Sequence, residues 1–403
     1  MWRTINKRNR YFDEPHEYRI LRLVRDSNII SRTEIAHRCG LSKPTVSDII
    51  NRFLKAGFLE SIGESASTIK GGRKRELLQF NPEAGFVIGI DLRMRECHLA
   101  VTDLNANIME KRSLSHTPGT APATVIKNLF RSLDTLLRTK RYAKKCVGIG
   151  IGLPGLLDRE TGALKVADTL AGWTGINLKK DLAERYGYPV YIENDVKVRT
   201  LGEYLFGVGK DVWNQVFLWI GDGIGSGIII DGKLHHGITN SAGEIGYNEI
   251  GACIRDQQMF PLLFSGQRDF GEVLANSVIL QSYAAHLGSN GNRTIADLFS
   301  NAESGCTIAQ NVLDEVARLT SIVCINLINT LNPELIVIGG DIAEAGTFVL
   351  ERVQQKVRED ILSVPAEAVR ILPAKLHTDG VILGSVGLVL YDLFKPAKIP
   401  LGY

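Results

Sequence analysis

Glycines at the alternating positions 221, 223, 225 and 227 lie between two apolar stretches, 216–220 and 228–230. Without a Cβ in the way, their backbone N–H groups can approach a ligand closely, as in turns that cradle phosphate. Asp222 places a carboxylate at the mouth of this turn, where it repels phosphate. A plain glycine-rich hairpin fits the same residues equally well. A second chemistry lies nearer the N-terminus, in Lys70-Gly71-Gly72-Arg73-Lys74-Arg75. Cations so dense, on a flexible glycine hinge, suit the phosphates of nucleic acid. Lys43, Thr45, Ser47, Asp48, Asn51 and Arg52 share one side of a helical pattern. Short polar and basic groups on a helix suit base edges and phosphates in a major groove.

The elements that must carry these residues follow from periodicity. Residues 17–27 read as a helix with Ile20, Leu21 and Val24 on one face. Ser31 and Glu34 form a capping-box pattern that starts a second helix, ended by Gly40-Leu41. Ser42 caps a third helix, in which Val46, Ile49, Ile50, Phe53 and Leu54 make an apolar stripe. A strand beginning at Gly57 and its return at Leu77–Phe80 bracket the basic tip. A solvated helix face or a solvated loop would explain either feature singly; together they predict a winged helix-turn-helix DNA-binding domain over residues 1–80.

Composition is that of a globular chain: 44% hydrophobic, 23% charged, net charge +3 over 403 residues. So small a net charge says nothing about nucleic acid; only its clustering does. No apolar run is long enough to span a bilayer and the first residues lack a signal-peptide core, so a cytoplasmic location without membrane partners is expected. The six cysteines (39, 97, 146, 253, 306, 324) contain no CxxC pair, which argues against a disulfide framework or a local zinc knuckle. Most are expected to be small buried hydrophobes.

Beyond Asn81-Pro82 the pattern changes to strands at 86–90, 97–102, near Ile108, and 146–151, with helices near 123–137 and 178–186. A further strand runs into Glu193-Asn194-Asp195. The second half repeats this theme around 216–230, with helices near 271–330 and a strand at 335–338. Meandering strands followed by strand–helix alternation imply two α/β lobes, 83–195 and 196–403, with a ligand cleft between them and the C-terminal helix returning to the first lobe.

With these residues identified, the chain resembles the ROK family (repressors, open reading frames and kinases). The resemblance rests on Ile192-Glu-Asn-Asp195 with Leu201-Gly-Glu203 and Phe206-Gly207, on Gly221-x-Gly-Ile-Gly225, on Ala242-Gly-Glu-Ile-Gly246 and on Gly339-Gly340. It implies a two-lobed actin-like ATPase (ribonuclease H-like) α/β fold preceded by the winged helix-turn-helix domain. The joined head is similar to that of the family's sugar-responsive repressors, of the xylose and N-acetylglucosamine type. Operator DNA, a sugar or polyol effector and a homodimer or tetramer are therefore the expected partners. By resemblance Asn194, Asp195 and Glu244 bind sugar hydroxyls, and Asp195 holds the position of the kinases' general base. Trp173 offers an indole to a pyranose face or simply fills the core, and Tyr247 offers a phenol to the ligand or simply packs.

Two departures bear on activity. Where the kinases have a glycine- and threonine-bearing phosphate turn, this chain has Asp91-Leu-Arg-Met-Arg95; Arg93 and Arg95 could still attract an anion. With Asp222 added, the expectation is a repressor and not an enzyme, the alternatives being an ATP-dependent sugar kinase with an accessory DNA-binding head or a ligand-free DNA-binding dimer. Tyr247 replaces the family's zinc-binding histidine and Cys253 stands without a thiol cluster, so no zinc and no other cofactor is expected.

Overall fold

The computed structural model describes residues 15–64, 75–139, 142, 145–158, 160–167, 170–249, 260–263, 267–288, 293–362 and 367–394. The N-terminal elements are α1 (Pro15–Asp26), β1 (Ile29–Ser31), α2 (Arg32–Cys39), α3 (Lys43–Ala56), β2 (Leu59–Glu64) and β3 (Glu76–Phe80). Ile20, Leu21 and Val24 of α1 are fully buried, and in the expected stripe of α3 Val46, Ile49, Ile50 and Phe53 are buried. Each such side chain contributes roughly 1.5–3 kcal/mol. Ser31 Oγ accepts the Glu34 amide at 3.3 Å, the expected half of the cap, whereas the Glu34 carboxylate lies 3.9 Å from Arg38. Gly57, at φ 81°, closes α3 in the left-handed conformation that favours glycine. The short strand β1 was not legible in the sequence. It pairs with β3 to give a three-stranded sheet of order β1-β3-β2, the sheet of a winged helix.

The body begins with β4 (Phe86–Leu92), β5 (Glu96–Thr102) and β6 (Ile108–Ser115), an antiparallel meander longer at its third strand than the sequence implied. Then come α4 (Pro122–Arg138), β7 (Cys146–Leu153), the small pair β8 (Leu156–Leu157) and β9 (Leu164–Val166), α5 (Leu178–Tyr186), β10 (Val190–Asn194) and α6 (Asp195–Phe206). The five-stranded sheet has order β10-β7-β4-β5-β6, and every residue of β4 and β7 is buried, as befits a central strand.

A second five-stranded sheet holds β11 (Gln215–Ile220), β12 (Ile224–Ile230) and β13 (Lys233–Leu234). After α7 (Phe270–Val273), α8 (Asn276–Leu287), α9 (Ile295–Glu303) and α10 (Thr307–Leu331), it is completed by β14 (Leu335–Gly339) and β15 (Arg370–Pro373), in order β13-β12-β11-β14-β15. Short α11 (Asp341–Glu344), α12 (Phe348–Asp360) and the final α13 (Gly380–Leu393) complete the described elements. Asp231 and Gly232, at φ 51° and 70°, make the expected tight turn between β12 and β13. The core of this region is apolar, with Val312, Leu313, Val316 and Leu319 of α10 at 0% exposure.

The chain divides into two compact units. One comprises the described residues within Met1–Ile151, Leu170–Ile192 and Ser385–Tyr403; the other, those within Gly152–Thr169 and Glu193–Gly384. Within the first, Ser385 Oγ donates to the Ile90 carbonyl at 3.1 Å. At the end of α13, Phe394 meets the winged helix: its ring lies 5.9 Å from that of Phe80, and the Arg25 guanidinium sits over it at 4.3 Å. Cys39, Cys97, Cys146 and Cys324 are free and buried, and burial pushes their thiols up, to about 12 for Cys146 and Cys324. They act as small hydrophobes.

Candidate functional site

On α3, Lys43, Asp48, Asn51 and Arg52 are exposed, and Thr45 and Ser47 are half-buried. Thr45 Oγ1 lies 2.7 Å from Ser42 Oγ and strengthens the cap. Arg52 is tied down: its guanidinium pairs at 2.5 Å with Glu17, a carboxylate on α1 that is only 4% exposed. Arg32, which sequence reasoning passed over, bridges three elements. Its Nε donates to Glu76 of β3 at 2.6 Å and its Nη1 to the Ser47 carbonyl at 3.3 Å, so the base of the wing and α3 are held in register by one side chain. Arg75 is exposed at the start of β3; Lys70, Gly71, Gly72, Arg73 and Lys74 lie outside the described residues.

The second site forms where β10 runs into α6. Asn194 is the N-cap: its Oδ1 accepts the amides of Val196 and Lys197 at 3.0 and 3.2 Å, and its Nδ2 donates to the Gly155 carbonyl at 3.1 Å. An asparagine fits because its amide can accept from the helix while donating elsewhere. Much of that amide is therefore spent on structure, leaving one N–H for any ligand. Asp195, half-buried, occupies the first helical position, where the helix dipole favours its negative charge.

Behind this pair stands a polar cluster that the sequence did not reveal. Glu193 is 7% exposed and accepts from its neighbour's amide (Asn194, 2.8 Å), from Asn240 Nδ2 at 3.2 Å and from His236 Nε2 at 2.9 Å. Burial alone would raise its carboxyl, but the hydrogen bonds from His236 and the Asn194 amide, with the charge of Lys197, hold it below its usual value. Lys197 is 1% exposed and donates to the Asn240 carbonyl. Glu244 is half-buried, its amide donating to the Ser241 carbonyl at 3.3 Å, and its charge acts on the Lys197 ammonium. Asn194, Asp195 and Glu244 thus belong to the same compact unit, together with Glu193, Lys197, His236 and Asn240. The partners of Glu193 lie 43 and 47 residues away, beyond any local pattern.

Trp173 lies in the other unit at 5% exposure, which fits its core-filling role better than a sugar platform. Tyr247 is 69% exposed and does not fill the core, one of its two readings.

The glycine turn is shorter than the alternating pattern implied. β12 starts at Ile224, so Gly225 and Gly227 sit in the ladder opposite Trp219 and Phe217. A Cβ at Gly227 would lie 1.9 Å from Thr200 Oγ1, and one at Gly225 3.3 Å from Val196. These two glycines let α6 lie against β12; they do not bare amides to a ligand. Only Gly221-Asp222-Gly223 forms the turn, closed by the Gly221 amide on the Gly223 carbonyl at 3.1 Å, with Asp222 exposed.

The turn after β4 is filled by its own charges. Asp91, 1% exposed, takes the Arg93 guanidinium at 2.6 and 2.8 Å, and Glu96 takes its other arm at 3.3 Å. His98, first, and Arg93 hold the Glu96 carboxyl low. Arg95 is exposed. Cys253, with 250–259, lies outside the described residues, and among those described no group of three or more histidine, cysteine or acidic side chains is set to hold a metal.

A winged helix joined to a two-sheet α/β body, with a half-buried carboxylate at a helix N-terminus and the turn after β4 occupied by its own ion pairs, defines a class of DNA-binding proteins with an α/β body. The chain belongs to the ROK family, whose model matches residues 87–391, and a winged helix-turn-helix DNA-binding model matches residues 13–60. The xylose repressor of Caldicellulosiruptor bescii is 28% identical over 389 residues, 93% of this chain and 95% of that protein. A glucokinase of Halalkalibacterium halodurans is 28% identical over 311 residues, 75% of this chain and 94% of that protein. The crystal structure of a ROK family transcriptional regulator, a homologue of the E. coli MLC protein, matches with a TM-score of 0.79 at 22% identity, over 94% of this chain and 96% of that one. That likeness shows the fold.

Proposed function

We propose that the chain is a transcriptional repressor of carbohydrate-metabolism genes, and that a sugar or polyol held at the β10–α6 junction sets its operator affinity. One contrast carries the reading. The junction keeps a half-buried carboxylate at a helix N-terminus, braced by a buried polar cluster, whereas the turn after β4 is stopped by its own ion pairs. Vicinal hydroxyls donate to the Asp195 carboxylate, and Asn194 and Glu244 supply further hydrogen bonds. The β4 turn offers no glycine for close approach to phosphate, and Arg93, its nearest cation, already faces two carboxylates. ATP does not fit there, so phosphoryl transfer, which depends on positioning and charge stabilisation, has no cradle.

Operator reading falls to Lys43, Thr45, Ser47 and Asn51 on α3, with Arg52 held towards Glu17 and the basic tip on the phosphates. Head and body work as a homodimer on two half-sites, and the location is cytoplasmic; among the described residues no helix is long and apolar enough to cross a membrane. The effector acts by binding one operator-affinity state better than the other, a coupling typically of about 5–150-fold. Relatives named for xylose make D-xylose the first effector to try. The test is operator binding by anisotropy, on fragments selected with the protein itself, titrated with D-xylose, D-glucose and N-acetyl-D-glucosamine. A shift of about five-fold or more with one of them is expected; no shift with any would refute the effector reading. The glucokinase likeness and the retained Asp195 favour a kinase as the second reading. ADP release on adding ATP and sugar, abolished by Asp195→Asn, would establish it.

A further inference from the structure

The effector reading leaves one buried ion unused. Lysine is almost never fully buried unless paired, yet Lys197, two residues into the turn that Asn194 caps, is 1% exposed. Its ammonium donates to the backbone carbonyl of Asn240. Asn240 is itself 3% exposed, at φ 66°; its Nδ2 donates to Glu193, and its Oδ1 is buried without a hydrogen-bond partner. His236 holds the other oxygen of Glu193. The segment leading to Glu244 is thus strapped at both ends to the strand end that presents Asn194 and Asp195.

We propose that Lys197 is a positioning residue of the effector site: its buried ammonium fixes the 236–240 segment through the Asn240 carbonyl and serves as the internal counter-charge for Glu193 and Glu244. The inference rests on the effector reading above. Burial disfavours the charged ammonium and lowers its proton affinity, while the charges of Glu193 and Glu244 act the other way. An aliphatic side chain of similar length would fill the same volume; what it would lose is the donor and the charge. Two acidic groups would then share a low-dielectric site, Glu193 keeping its hydrogen bonds from His236 and Asn240, and the loop bearing Glu244 would lose one of its straps.

The test uses the full chain and a double-mutant cycle. Lys197→Gln keeps a donor for the Asn240 carbonyl and removes the charge. Sugar affinity is read by calorimetry with D-xylose and D-glucose as probes, and operator affinity without sugar serves as the control for a folded head and body. The expected result is that Lys197→Gln weakens sugar binding at least about ten-fold while operator affinity stays within about two-fold. In a Glu193→Gln background the same substitution weakens it by less than about three-fold, because the larger of the two charges it balanced is gone. Equal losses in both backgrounds, an unchanged sugar affinity, or a parallel loss of operator binding would each overturn the assignment. A wild-type chain that binds operator but neither sugar would instead refute the effector reading itself.

Discussion

Two strand ends in the body carry the same kinds of residue and do opposite things with them. After β4, Asp91 and Glu96 both take the Arg93 guanidinium within six residues, and the buried carboxylate is spent on holding its own turn. After β10, the buried charges find partners far along the chain, so the framework behind Asn194 and Asp195 is rigid while Asp195 itself stays half-buried at a helix N-terminus. A carboxylate paired within its own turn is structure; one set at a helix N-terminus in front of a braced polar cluster is, on the proposed reading, the one that meets a ligand. A ligand grip therefore depends less on which charges are present than on whether their partners are neighbours or distant supports.

That contrast can be broken or sharpened by substitution, the largest effect first. Arg93→Met strands Asp91 as a buried unpaired carboxylate. It should lower stability in urea unfolding by about 2–3 kcal/mol, the low end for such pairs because the guanidinium is 31% exposed. It should create no ATP affinity; ATP binding gained there would mean the arginine alone was closing the turn. Gly227→Ala drives a methyl into Thr200 and pushes α6 from β12, a loss of about 2 kcal/mol that should also weaken the sugar response. Asn194→Ala removes the cap of α6 and should cost about 1 kcal/mol, with operator binding retained. Glu96→Gln trims a more exposed partner of Arg93 and should change stability by less than about 1 kcal/mol. A larger change would show that Glu96, not Asp91, anchors the turn.

The winged helix was legible because its signals are local: the Ser42 cap, the apolar stripe of α3 and the glycine stop at 57 all lie within a few turns of one another. The Asp231-Gly232 turn was legible for the same reason. Whether the glycines at 225 and 227 face a ligand or the rest of the chain stayed open, since the sequence does not show that α6 packs on them. Arg52 looked free for DNA until Glu17 came to meet it across α1. Trp173 and Tyr247 split oppositely, one buried and one exposed, and no local pattern distinguishes them. Lys197, His236 and Asn240 escaped altogether and Glu193 was visible only as part of a motif, because a lone lysine or histidine acquires meaning only from a partner some forty residues off.

The central claim is that the chain keeps a carbohydrate grip at β10–α6, lacks a nucleotide grip at the β4 turn, and reports occupancy to the winged head. Operator anisotropy during a sugar titration, for wild type beside Asp195→Asn, tests it most directly. The account predicts a shift of about five-fold or more for wild type, and intact but unresponsive operator binding for the variant. Equal shifts in both proteins, or operator binding indifferent to every sugar, would contradict it.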